Sequence, residues 1–220
     1  MLGVYDKGKA SVVETESNLV DSQSGEVYTR AVGSAFFVGQ GGWGGPKGES
    51  FHRGSCGGSN NRTWNISAYE TSIGPKDPTF NPPSGRSPDA TFSLQTNNES
   101  ALLYRLNGDY NPLHATPEPG TKMGFGGCII HGLFSWNSTA HGVLYELGGS
   151  DPKNIKEFQA RFASPVKPGD KLVTQMWKMG NPDSDGFEEV RFVTSIVGGK
   201  QVLSNGRAVV RCVGRAKAKL

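Results

Sequence analysis

Ile129-Ile130-His131-Gly132-Leu133-Phe134-Ser135-Trp136-Asn137-Ser138-Thr139-Ala140-His141-Gly142-Val143-Leu144-Tyr145-Glu146-Leu147 carries apolar side chains at 129, 133, 136, 140, 143, 144 and 147. A recurrence at three or four residues predicts one long, mostly buried helix. Gly148-Gly149 follows as its C-terminal stop. Downstream lie four strand-like runs, about 156–163, 171–179, 186–197 and 201–213, parted by Pro165-Val166-Lys167-Pro168-Gly169-Asp170, Asn181-Pro182-Asp183 and Gly198-Gly199. One helix followed by consecutive strands with short turns predicts an α+β fold, the helix packed on an antiparallel sheet.

Upstream of the helix, Glu99 to Leu106 has apolar residues at 102, 103 and 106, a short helical spacing. Asn107 to Thr121 then reads as a polar loop. Near the N-terminus, 10–20 and 26–38 read as two strands around the turn Asp21-Ser22-Gln23-Ser24-Gly25. A lone hairpin is marginal in water, so this one needs a larger sheet. Between Gly39 and Arg86 glycine, proline, serine and asparagine dominate, with little apolar periodicity. Such composition reads as linker, because it buries too little apolar surface to offset its ordering entropy. The organisation expected is a hairpin-containing piece over 1–46, a linker or insertion over 47–87, and a complete domain over 88–220.

Composition removes several classes. Glycine (31) and proline (13) make up a fifth of the 220 residues, against about 12% in average usage, which argues against a helical bundle. The net charge is +3, and its one basic cluster, Arg207, Arg211, Arg215, Lys217 and Lys219, has no aromatic residue interleaved after Phe192. That pattern is not the footprint of a nucleic-acid groove. No apolar run approaches the ~20 residues of a membrane span, and the N-terminal residues lack a signal-peptide core. Cys56, Cys128 and Cys212 are too few and too far apart for a disulfide framework or a zinc site, and suit a reducing compartment. The last three residues, Ala218-Lys219-Leu220, vary the Ser-Lys-Leu address read by a peroxisomal import receptor.

Chemistry concentrates in Asn107-Gly108-Asp109-Tyr110-Asn111-Pro112-Leu113-His114. A carboxylate, a carboxamide and an imidazole fall within six residues of a loop held by glycine and proline. Asp109 and His114 could share a water molecule as acid and base, with Asn111 fixing that water or polarising a substrate oxygen. The same residues also make an ordinary Asx turn in which the histidine is incidental. Two further readings stay open: a metal held by Asp, Asn and His, and Cys128 with His131 as nucleophile and base. Gly132 sits in the first turn of the helix, where an N–H has no intrahelical acceptor. Without a side chain it either admits an oxyanion or lets the helix pack closely.

These residues, in order and spacing, resemble a known family. The stretch Tyr104 to His114, then Gly124-Phe125, Ile129-Ile130-His131-Gly132-Leu133 and Arg161-Phe162-Ala163-Ser164-Pro165-Val166-Lys167-Pro168-Gly169-Asp170 is similar to the MaoC-like (R)-specific 2-enoyl-CoA hydratases, or hydratase 2. The resemblance, which spans about 88–213, implies a hot-dog fold and reversible addition of water to trans-2-enoyl-CoA, giving (3R)-3-hydroxyacyl-CoA. It implies Asp109 and His114 as the acid/base pair, Asn111 as support for the water, and the Gly132 N–H as donor to the thioester oxygen. No cofactor or metal is implied. The partners expected are an acyl-CoA thioester, the import receptor for Ala218, Lys219 and Leu220, and a second copy of the chain, in the peroxisome. Val12 to Glu16, Asp21, Gly25-Glu26 and Phe37 to Gly45 resemble the end of a degenerate first hot-dog repeat. Asn137 stands where the family has a helix glycine that gives acyl chains room. A non-catalytic acyl-CoA-binding or assembly remnant of a duplicated hydratase is the alternative.

Overall fold

The computed structural model describes residues 1–47 and 79–215. The chain divides into two compact units, Met1–Thr79 and Phe80–Leu220. The Ala218-Lys219-Leu220 tripeptide and most of the expected linker lie outside the described residues.

In the first unit, β1 (Gly3–Asp6), β2 (Ala10–Val20) and β3 (Val27–Val38) form an antiparallel sheet in the order β1-β2-β3. The expected hairpin is therefore joined by a third strand. Asp21 closes its turn: one carboxylate oxygen accepts the Gln23 and Ser24 N–H groups (2.9 and 2.6 Å) and the other the Tyr28 hydroxyl (3.1 Å). Residues 39–47, which composition alone reads as linker although the resemblance puts 37–45 at the end of the first repeat, fold back on this sheet. The carboxylate of buried Asp6 collects the N–H groups of Gly8, Gly42 and Gly44 at 2.7–2.8 Å. Trp43 Nε1 donates to Ser11 Oγ at 3.0 Å. Composition underestimated this segment because its order comes from one buried acceptor three dozen residues away in sequence.

The second unit is built on β4 (Ala90–Gln95), β5 (Ile155–Phe162), β6 (Lys171–Lys178), β7 (Phe187–Ile196) and β8 (Gln201–Arg211). All neighbours pair antiparallel, in the order β4-β6-β7-β8-β5. The four strands expected from alternation are present within a residue or two. Across the sheet lies the helix α3 (Gly132–Leu147); two short helices, α1 (Ser100–Tyr104) and α2 (Pro117–Lys122), precede it. Val143 and Leu147 of α3 bury against Phe158, Met176, Val190, Phe192, Ala208 and Val210. A second cluster, Ala101, Ile130, Val166, Leu172, Val202 and Leu203, packs the helix entrance. This is a long helix wrapped by an antiparallel sheet, the hot-dog arrangement.

Two features of α3 differ from the periodicity reading. The helix begins at Gly132, because Ile129 and Ile130 are bonded elsewhere: their N–H groups donate to the carbonyls of Leu113 (3.3 Å) and Val166 (2.7 Å). Its buried face runs through Ser135, Thr139, Gly142, Val143 and Leu147, while Leu133 is exposed. Small residues face the sheet because the helix lies close to it. A Cβ at Gly142 would collide with the Phe92 ring, and the Thr139 hydroxyl meets Thr194 Oγ1 at 2.9 Å, which in turn meets Thr174 Oγ1 at 2.8 Å. These three buried threonine hydroxyls are thus paired, as burial requires.

Candidate active site

The loop after α1 is shaped by its own side chains. A 3₁₀ turn over Arg105–Asn107 ends at Gly108, whose φ of 105° lies in the region that favours glycine. Asp109 Oδ1 then accepts the Asn111 N–H at 3.1 Å, and Asn111 Oδ1 accepts the Leu113 N–H at 3.0 Å. Pro112 opens a second 3₁₀ turn that delivers His114 into the interior, 8% exposed. The two chained Asx turns are what the bland reading of this loop expected, and they coexist with a convergent constellation. They consume one oxygen of Asp109 and the carboxamide oxygen of Asn111, and leave Asp109 Oδ2 unspent.

Hydrogen bonding fixes the protonation of His114. Its Nδ1 lies 2.8 Å from the Ile129 carbonyl, and because a carbonyl only accepts, Nδ1 carries a hydrogen. In the neutral ring Nε2 is then a lone pair, the form of a general base. The His131 ring stacks on it with centroids 3.8 Å apart and 24° between planes. His131 Nε2 lies 3.3 Å from the Asp109 carbonyl and 3.8 Å from its Oδ2. One side-chain nitrogen or oxygen atom from each of Asp109, His114 and His131 lies within 4.8 Å of the others, a span that one water molecule bridges. The carboxylate side chain is 55% exposed and the His131 side chain 2%, so the cluster runs from solvent into the core.

Beside it is a cavity of about 290 Å³, at the small end of ligand pockets. His114 and Gly132 line it together with Phe125, Ile129, Phe162 and Val166. Gly132 is the first residue of α3, where an N–H lacks an intrahelical acceptor and the helix dipole is positive. Its N–H has no acceptor among the described residues. A Cβ at this glycine would stand 3.2 Å from the Phe162 ring, so close packing and an open donor hold at once.

The structure thus brings Asp109, His114 and Gly132 to one place. The Asn111 oxygen is engaged by Leu113, and neither Asn111 nor Asp109 lines the cavity. Cys128 and His131 do not pair: His131 Nδ1 has no hydrogen-bond partner and Nε2 faces Asp109. As for a metal, Asp109, His114 and His131 are its possible ligands. With the two rings stacked nearly parallel, however, one ion cannot lie in both ring planes, where imidazole lone pairs point. Asn137 does not occupy the cavity wall; its Nδ2 donates to Tyr104 Oη at 3.2 Å. What sequence reading missed is the place of His131 beside Asp109 and His114, since it was read there only as a possible base for Cys128. Burial is the main cause holding its pKa below the ordinary imidazole value, aided by the charges of His114 and Arg105 and opposed by Asp109.

Fold and site together define a hot-dog protein with an Asp/His loop facing the start of its central helix. Within that class the chain belongs to the MaoC-like family: the MaoC like domain matches residues 79–209. It is 47% identical over 222 residues to a probable dehydratase, NIT22, of Ajellomyces capsulatus, covering 96% of this chain and 52% of that one. To a probable enoyl-CoA hydratase 2 of Dictyostelium discoideum it is 31% identical over 208 residues, 94% of this chain and 60% of that one. The solved full-length peroxisomal multifunctional enzyme type 2 of Drosophila melanogaster aligns with a TM-score of 0.68 at 29% identity, over 95% of this chain and 32% of that one. The chain therefore spans 52% and 60% of these two curated relatives and 32% of the solved one.

Proposed function

We propose that the chain is a hydro-lyase that adds water reversibly across trans-2-enoyl-CoA to give (3R)-3-hydroxyacyl-CoA. The observation that carries this reading is the convergence of the Asp109 carboxylate, the His114 imidazole and an unpartnered helix N-terminal N–H at Gly132 beside an apolar cavity. In this reading the acyl chain enters the cavity and the thioester oxygen accepts from the Gly132 N–H. Negative charge grows on that oxygen as the water oxygen bonds to C3, and a fixed dipole in a water-poor site stabilises it without reorganising. Asp109 and His114 hold the water. One O–H bond and the C2=C3 π bond break, C3–O and C2–H bonds form, and the proton lost by water passes through the pair to C2, so the pair ends as it began. Its relatives' names, a dehydratase and an enoyl-CoA hydratase 2, agree with this chemistry.

The setting is proposed with it. Ala218-Lys219-Leu220 and the peroxisomal name of the Drosophila structure support an import receptor as partner and the peroxisome as location, in β-oxidation or in building a specialised acyl product. Exposed Phe36, Phe37 and Val38 along β3 support pairing with a second copy. The test is a hydration assay on crotonyl-CoA and longer trans-2-enoyl-CoA substrates with chiral analysis of the product. Asp109→Asn and His114→Gln should each lose about 10²-fold or more in rate. Unchanged turnover in either variant removes that residue from the chemistry. A folded, inactive wild type would favour the non-catalytic binding remnant.

A further inference from the structure

His131 is a fully buried imidazole that the proposed proton path does not use. It touches that path on two sides. Its ring lies flat on His114 at 3.8 Å, and its Nε2 faces the Asp109 carbonyl at 3.3 Å. On the remaining sides are the Tyr104 ring, 4.8 Å away, and Arg105, which joins His114 in disfavouring a positive charge. The carbonyl of Asp109 only accepts, so His131 Nε2 carries a hydrogen. Its Nδ1 is sealed from solvent with no partner. Protonating Nδ1 would leave a charged ring with an unsatisfied donor inside the core, which costs far more than an idle lone pair.

We propose that His131 is a positioning residue: a permanently neutral ring, protonated at Nε2 alone, that fixes Asp109 through its backbone and His114 through its face. Asp109 has an exposed side chain on a loop with a left-handed glycine before it, so its location depends on such a tether. Its neutrality also spares the carboxylate an ion pair. A charged His131 beside Asp109 Oδ2 would hold that carboxylate as a salt bridge and weaken it as a base. This role rests on the proposed hydratase reading only for its kinetic part.

The tautomer is tested on the wild-type full chain by two-bond ¹H–¹⁵N correlation of the histidine side chains between about pH 6 and pH 8, with His131→Phe assigning the signal. A neutral Nε2–H form throughout is expected; an imidazolium or an Nδ1–H form in that range overturns the proposal. Kinetics supply the second arm. His131→Phe keeps a ring against His114 but loses the donor, and should lower kcat about tenfold or more at little-changed KM. His131→Gln, which restores an N–H, should recover part of that loss. Equal losses in Phe and Gln variants, or a loss confined to KM, overturn the positioning role. If the wild type hydrates no enoyl-CoA, the function fails while the tautomer result still stands or falls alone.

Discussion

Two loops of this chain have almost the same recipe and opposite fates. Asp21-Ser22-Gln23-Ser24-Gly25 and Asn107-Gly108-Asp109-Tyr110-Asn111 are both built from Asp, small polar residues and glycine, and both close Asx turns. The Asp21 carboxylate is used up by two N–H groups and two hydroxyls, from Ser24 and Tyr28, and those bonds hold its pKa down at about 2. Asp109 accepts one backbone N–H through Oδ1, and its second oxygen faces an imidazole pair. Turn chemistry is thus common to a structural carboxylate and to the one proposed to act on water; the spare oxygen and the neighbour 22 residues on, His131, make the difference.

The largest effects expected from breaking this contrast lie at Asp109 and His114, at about 10²-fold or more in rate. Next is Gly132→Pro, which deletes the N–H while fitting the helix: proline suits the first helical position, and His131 already has the extended φ of −56° and ψ of 138° that a following proline requires. A loss in kcat of about 10²-fold is expected from removing one such donor. Gly132→Ala retains the N–H and only presses on Phe162, so it should lose much less; equal losses would show that space, not the donor, is what Gly132 provides.

A smaller effect concerns pH. His131 has a folded-state pKa below its unfolded value of 6.5, so the unfolded chain binds more protons once the pH falls below that value. Stability should be whole above about pH 7, and decline as the pH falls through 6.5 towards the depressed folded pKa. His131→Phe should flatten that part of the melting-temperature profile. The smallest effect is at Asp21→Ala, which should leave turnover unchanged. Its pKa is lowered from 3.8 to about 2, so its stabilising share is present above 3.8 and vanishes as the pH drops to about 2. Wild-type and variant melting temperatures should converge over that interval, and a fall in hydration rate would instead tie this turn to the site.

Much of this was readable in the chain because alternation and turn residues mark β5 to β8 directly. Other elements were hidden for identifiable reasons. β4 is a six-residue strand following the proline-rich stretch, and its place beside β6 is a long-range pairing that no local pattern encodes. Pro117, Pro119 and Gly120 all count against a helix, yet α2 forms with its prolines in the first turn, where their missing N–H groups cost little. The face of α3 was misjudged because Thr139 looks solvent-facing until Thr194 supplies a partner, and Ser135 until the cavity beside it is seen. At the site, Asp109, His114 and Gly132 were marked by residue type and by resemblance. His131 was marked only as a possible base for Cys128, because its place beside His114 lies in a ring stack between two segments 17 residues apart.

The most direct test of the account is the stereochemistry of water addition by the purified full chain, measured on trans-2-enoyl-CoA for the wild type and Asp109→Asn side by side. Formation of (3R)-3-hydroxyacyl-CoA by the wild type, reduced about 10²-fold or more in the variant, is the predicted result. A product of the opposite hand, or equal rates in the two proteins, would contradict it.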